Sequence, residues 1–167
     1  MFSVARSVRA IARVIPKRHY AAAAPAADTA SEELLLTFSS PSTAFYTNKV
    51  VKQVDVPTLA GTVGVLAKHV PTIGVLKPGV VQVIELDGNV KKMFVSSGTM
   101  SMNIDGTLQV LAEEAINIED IDETKARHEL EAAQRKGAEG GSEVDRAEAA
   151  IRAEVAEALV KAATGQV

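Results

Sequence analysis

Between residues 34 and 118 the chain alternates short apolar and polar runs, separated by turn-forming residues. Val54 and Val56 alternate with Gln53 and Asp55, the period of a strand with one buried face. The same reading predicts strands over 34–38, 45–50, 51–56, 63–66, 72–76, 80–86, 90–95, 99–104 and 107–111, with VVQVIEL at 80–86 the strongest. Pro41-Ser42 breaks the first run and Pro57 ends the third, because proline cannot donate to a sheet ladder. Asp87-Gly88, Ser97-Gly98 and Asp105-Gly106 lie between apolar runs and predict tight turns. Many short strands at regular spacing predict an antiparallel sandwich or barrel. A domain of this size buries a modest core and is marginally stable alone.

At Glu119 the period changes. Ala126, Leu130 and Ala133 recur at helical spacing over 121–136, and Gly137, Gly140 and Gly141 then break the chain. Ser142 is a plausible N-cap, with Glu143 and Asp145 in the first turn. Val144, Ala147, Ile151, Val155, Ala158, Leu159 and Ala162 form one stripe of a second helix. Two helices about a short glycine-rich loop predict an antiparallel hairpin. Alanine dominates both helices, so they approach closely but bury little area, and the hairpin must lean on something else. The fold class is α+β: an N-terminal antiparallel β-sandwich over 34–118, followed by a C-terminal α-helical hairpin over 119–167.

Charge changes the reading of the N-terminus. Residues 1–20 hold Arg6, Arg9, Arg13, Lys17 and Arg18 and no acid, the composition of a mitochondrial transit peptide. Arg18-His19-Tyr20-Ala21 reads as a matrix-protease cleavage site; a disordered basic tail is the alternative. Residues 21–33, rich in alanine, read as a flexible extension. Without the first 20 residues the chain carries 13 basic against 21 acidic residues, which argues against nucleic-acid binding through phosphates. No apolar run approaches the ~18 residues that span a bilayer, so the expectation is a soluble or peripheral protein.

The chemistry is sparse. There is no cysteine, which excludes disulfides and thiolate chemistry. No phosphate-binding G-x-x-x-x-G-K-[ST] occurs. His19, His69 and His128 are scattered, without metal-ligand spacing. Ser96-Ser97-Gly98 lacks a plausible base and reads as a turn. Gly61-Thr62-Val63-Gly64 is followed by no helix, so it is a poor phosphate cradle. Glu113-Glu114 would point to opposite faces of a strand. The expectation is a non-enzyme with no cofactor and no metal, whose assets are surfaces.

Pro71, Pro78, Gly74 and Gly79 punctuate the segment AKHVPTIGVLKPG at 67–79, which by itself reads as two strand ends joined by shaped loops. Together with VDVPT at 54–58, FVSSG at 94–98 and AEEA at 112–115, it closely resembles the small β-sandwich subunit in the rotating stalk of F-type ATP synthases. That family includes the mitochondrial delta and the bacterial epsilon subunits. The resemblance runs from about Leu34 to Arg127 and more loosely to the end. It implies a non-catalytic central-stalk subunit that couples proton-driven rotation to ATP synthesis, peripheral on the matrix side of the mitochondrial inner membrane. It implies three partners: the gamma subunit, the c-subunit ring and a very small mitochondrial epsilon stalk subunit. Carried onto this sequence, the ring contact is Leu59, Ala60, Gly61 and Thr62 with His69 nearby, and the gamma contact is Pro41 and Gly74. His69 taken alone reads more readily as an ordinary surface-loop histidine than as a contact residue. Bacterial relatives bind ATP through (I/L)-D-x-x-R-A; here Ile121-Asp122-Glu123-Thr124-Lys125-Ala126 has lysine for arginine and loses the planar phosphate fork. The competing class is a free-standing matrix β-sandwich binding module or carrier.

Overall fold

The computed structural model describes residues 32–166. The expected transit peptide and residues 21–31 of the expected extension lie outside them. The elements are β1 (Leu34–Ser39), β2 (Ala44–Val51), β3 (Gln53–Thr58), β4 (Gly61–Leu66), β5 (Thr72–Leu76), β6 (Gly79–Ile84), β7 (Val90–Val95), β8 (Gly98–Met102), β9 (Thr107–Ala112) and β10 (Ala115–Asn117). A 3-10 turn (Ile118–Asp120) leads to α1 (Glu123–Glu139) and α2 (Glu143–Ala163).

The strands form one continuous ladder, β10-β7-β6-β3-β5-β8-β9-β1-β2, with β4 on the other edge of β3. The ladder folds over on itself into two layers. Their inner faces supply one aliphatic core, which includes Val54, Val56, Val65, Val81 and Val83 from one layer and Leu34, Leu36, Phe38, Met100, Leu108 and Val110 from the other. Pairing is antiparallel except between β1 and β9, which run parallel from Leu35↔Thr107 to Ser39↔Leu111.

The fold line runs through β3. Gln53 to Asp55 pair with β6, whereas Thr58 pairs with Leu76 of β5. Pro57 therefore does not end the strand. It lies buried at the corner where β3 changes partner, pairs with Thr62 of β4, and its carbonyl accepts from Lys77 N at 3.2 Å. The 80–86 run ends earlier than the sequence suggests, because Glu85 to Asn89 close a turn through Glu85 N donating to Asn89 O at 2.9 Å. Glu113 and Glu114 lie in the turn between β9 and β10 rather than on a strand.

Gly137 stays inside α1, with Ala149 of α2 beside it; Gly140 (φ 87°) and Gly141 (φ 124°) break the chain instead. Ser142 caps α2: its Oγ accepts from Asp145 N at 3.2 Å, and Asp145 Oδ2 accepts from Ser142 N at 3.0 Å, a reciprocal capping box. The helices meet through small residues, with Ala126 and Ala133 buried on α1 and Ala149 and Ala156 on α2. The hairpin is folded against the sandwich. Val155, Ala158, Leu159 and Ala162 of α2 pack with Val80, Phe94, Ile118 and Ile121. The predicted stripe is thus only half buried, since Val144, Ala147 and Ile151 are exposed beyond the sandwich.

At the start of β8, Gly98 has φ +145°, and a Cβ there would lie 2.1 Å from the carbonyl oxygen of Leu111. Gly98→Ala is expected to lose at least about 2 kcal/mol from backbone strain, with the clash added. Urea denaturation checks this; an unchanged midpoint would contradict it.

Candidate functional site: an uncharged outer face

The outward residues of the β5-β8-β9-β1 layer follow from its register. Directly paired residues share a face, so Val75, Thr99, Leu111 and Ser39 make one row across four strands, and Ile73, Ser101, Gln109 and Thr37 make the next. Leu59, at the β3–β4 turn, extends the first row: its N donates to Val75 O at 3.0 Å. None of these nine residues is charged. Ile73 is 83% exposed, Leu59 71%, Val75 53% and Leu111 51%. Single exposed aliphatics are ordinary, whereas four on one uncharged face mark an interaction surface.

The local sequence explains the alternation. The inward partners of the exposed residues, Leu76, Met100, Val110 and Phe38, are buried in the core. Gly74 lies between Ile73 and Val75 and faces inward; a Cβ there would meet Met100 Cγ at 3.0 Å and Thr58 Cγ2 at 3.3 Å. Gly74 therefore lets β5 lie close over the core, and its two neighbours carry the exposed surface. The sequence reading missed both, although isoleucine and valine flanking a strand glycine were a usable signal. Pro41 sits in the exposed β1–β2 turn, where Ser40 N donates to Thr43 O at 2.8 Å. That turn follows Ser39 and so borders the first row.

The residues expected at the ring do not form one spot. Leu59 and Ala60 are the tip of the β3–β4 hairpin, held by Thr58 Oγ1 donating to Gly61 O at 2.6 Å. Gly61 (φ +122°) and Thr62 open β4. His69 comes after β4 ends, in a turn where its N donates to Leu66 O at 3.2 Å and Lys68 adopts φ 62°. A strand of this length separates the two groups by roughly 17 Å. They bracket β4, which pairs only with β3 and leaves its other edge free among the described residues.

Asp122 caps α1, accepting from Lys125 N at 3.1 Å, and the Lys125 ammonium lies 3.3 Å from its carboxylate. These hydrogen bonds from Lys125 hold the carboxyl of Asp122 below its ordinary range. A half-open cleft of about 320 Å³ runs beside the contact of the second half of α2 with the sandwich. Asp55, Thr62, Lys77, Glu157 and Lys161 are among its lining residues, a mixed set with no converging charge. Among the described residues no three His, Asp or Glu side chains gather where they could hold a metal ion.

The family model described as "ATP synthase, Delta/Epsilon chain, beta-sandwich domain" matches residues 33–118. The chain is 70% identical over 153 residues to "ATP synthase subunit delta, mitochondrial" of Caenorhabditis elegans, covering 92% of this chain and 93% of the relative. It is 44% identical to the protein of that name from Yarrowia lipolytica, covering 95% and 97%. Among solved structures, it superposes on a chain of the Euglena gracilis mitochondrial ATP synthase (OSCP/F1/c-ring in rotational state 1) with a TM-score of 0.71 and 28% identity, covering 76% of this chain and 79% of that one. A chain of the Tetrahymena thermophila mitochondrial ATP synthase (central stalk/c-ring) shares the fold, with a TM-score of 0.59 at 14% identity, covering 78% and 96%.

The cap geometry bears on nucleotide binding. Asp122 is committed to the helix N-terminus, and Lys125 offers a point charge rather than a fork. Calorimetric titration with MgATP is expected to give no binding in the micromolar range; micromolar affinity would contradict this.

Proposed function

The chain belongs to the ATP synthase delta/epsilon family, and on that premise we propose that it is a non-catalytic central-stalk subunit of the mitochondrial proton-transporting ATP synthase. In this reading it joins the gamma subunit to the c-subunit ring and transmits the torque of ring rotation toward the catalytic head. It resides in mitochondria, peripheral to the inner membrane on the matrix side. No helix among the described residues is long and apolar enough to cross a membrane.

The observation that carries the reading is the uncharged outer face with Leu59, Ile73, Val75 and Leu111 exposed upon it. A transmission element must be held on more than one face, and a stable joint of this kind requires upward of roughly 1,200 Å² of buried surface. The face is flat and built on paired strands, so docking orders few new degrees of freedom. We assign it to gamma, with Pro41 at its border and Gly74 beneath it. The strip along β4, from Ala60, Gly61 and Thr62 at one end to His69 at the other, is assigned to the ring, with Leu59 at the corner where this strip meets the gamma face. Leu59, Ala60, Gly61 and Thr62 carry no charge, so this contact rests on shape rather than on ion pairs. The cleft between α2 and the sandwich is assigned to the small epsilon stalk subunit, which would touch hairpin and sandwich at once.

Two measurements follow. The chain purified from mitochondria is expected to co-migrate with the ATP synthase on native gels, and recovery only as a free protein would sink the assignment. Ile73→Ala removes an exposed side chain and should leave the melting temperature of the free chain unchanged. If Ile73 is buried against gamma, the loss is about 1.5–3 kcal/mol of binding, or about 10- to 100-fold in affinity. Equal incorporation of Ile73→Ala and wild-type chains in competition would contradict the placement of gamma on this face.

A further inference from the structure

The open margin of the sandwich is closed by a polar cluster that the stalk role does not use. On β2, Tyr46 pairs with the buried Phe38 and Lys49 with the buried Leu36, so both side chains lie on the inner side of an edge strand. From the opposing layer, Lys91 of β7 pairs with the buried Val83. All three converge on Glu85, at the start of the β6–β7 turn, whose side chain is only 12% exposed. Its Oε1 accepts from Tyr46 Oη at 3.1 Å and from Lys49 Nζ at 2.9 Å, with Lys91 Nζ at 3.5 Å. Both ammonium groups also stand over the Tyr46 ring, 5.5 and 5.8 Å from its centroid.

Apart from this cluster, β2 is held by its ladder with β1 and by the half-buried Phe45, whose ring stacks on Phe38 at 5.1 Å between centroids. Among the described residues β2 pairs only with β1, and that register slips on either side of Phe38. Asn48 takes φ 47° in the irregular stretch, where the Thr37 hydroxyl donates to Asn48 Oδ1 at 3.1 Å and accepts from Asn48 N at 3.2 Å. Of its eight residues only Tyr46 and Val51 are buried. A terminal strand with so few apolar anchors opens locally before the core does.

We propose that Glu85 is the latch that keeps edge strand β2 on the sandwich, and that neutralising its carboxylate releases β2, and the Pro41 turn with it, while the rest of the core stays closed. This does not depend on the stalk assignment. The charged and titratable groups facing Glu85 are Tyr46 and Lys49 from β2 and Lys91 from β7; Asp87, two residues on, is engaged with Asn89. The hydrogen bonds from Lys49 and Tyr46 hold the Glu85 carboxyl below the ordinary carboxylate range. The latch therefore contributes fully above that range and is lost as pH falls through the lowered folded value.

Hydrogen exchange of the full chain, read by mass spectrometry, tests this. In Glu85→Gln, amides of residues 44–51 should exchange at least about tenfold faster than in the wild type, with β7 to β9 unchanged. Lys49→Gln leaves Lys91 on the carboxylate and should give a smaller rise confined to the same strand; it also serves if Glu85→Gln fails to fold. In the wild type, after correction for intrinsic rates, β2 should loosen only in acid, and Glu85→Gln should lack that step. Unchanged exchange of β2 in either variant would overturn the proposal. So would a uniform rise across β6 to β9, which would make Glu85 an ordinary contributor to global stability.

Discussion

At Pro57 strand β3 leaves one layer of the sandwich and enters the other, and around this corner the chain approaches itself closely. A Cβ on Gly79 would lie 3.0 Å from Pro57 Cβ, and one on Gly74 would lie 3.0 Å from Met100 Cγ. These contacts are tighter than ordinary packing, so a side chain at either position would have to displace its neighbour by a few tenths of an ångström. Pro57 is tolerated within a strand because it sits where β3 exchanges β6 for β5 as its partner. The PTIGVLKPG run is thus the hinge line of the sandwich rather than a reactive loop.

Other features follow from this corner. It carries the β3–β4 tip over onto the second layer, which places Leu59 beside Val75 and completes the uncharged row. It turns the inner faces of both layers toward one aliphatic core, so the outward residues of β5, β8, β9 and β1 are left to solvent or to a partner. On the other layer, Val80 and Phe94 lie on the outer side close to the corner, and there α2 docks. The opposite margin, far from the corner, has no helix packed over it; there Phe45 stacks on Phe38 and Glu85 fastens the edge.

Much of this was legible in the residues. The Asp-Gly turns, the strand at Val90, and the Ser142 cap with Asp145 are local chemistry, and each appears where the sequence put it; Ser97-Gly98 instead links two strands that do not pair. Three things were not. Pro57 and Gly137 read as breaks, but tertiary pairing keeps the first in a strand and close packing on Ala149 keeps the second in a helix. The α2 stripe has one period, yet the sandwich is reached only by its C-terminal half, and nothing local in Val144 or Ile151 distinguishes them from Val155. Of the candidate face, the residues singled out for gamma, Pro41 and Gly74, lie at its border and beneath it, while Leu59, expected at the ring, extends it. Ile73 and Val75 had a local signal in the glycine between them, but their row with Leu111 emerges only from the register, because a row across a sheet joins residues far apart in the chain.

The chain has no cysteine, so single-cysteine variants report one position each. The most direct test of the docking face compares maleimide labelling of Ile73→Cys and Leu111→Cys in the free chain and in the assembled ATP synthase, with Ile151→Cys on the exposed part of α2 as a reference. The account predicts rapid labelling of all three in the free chain, and strong protection of positions 73 and 111 on assembly. Labelling of those two positions at the same rate in both states would contradict it.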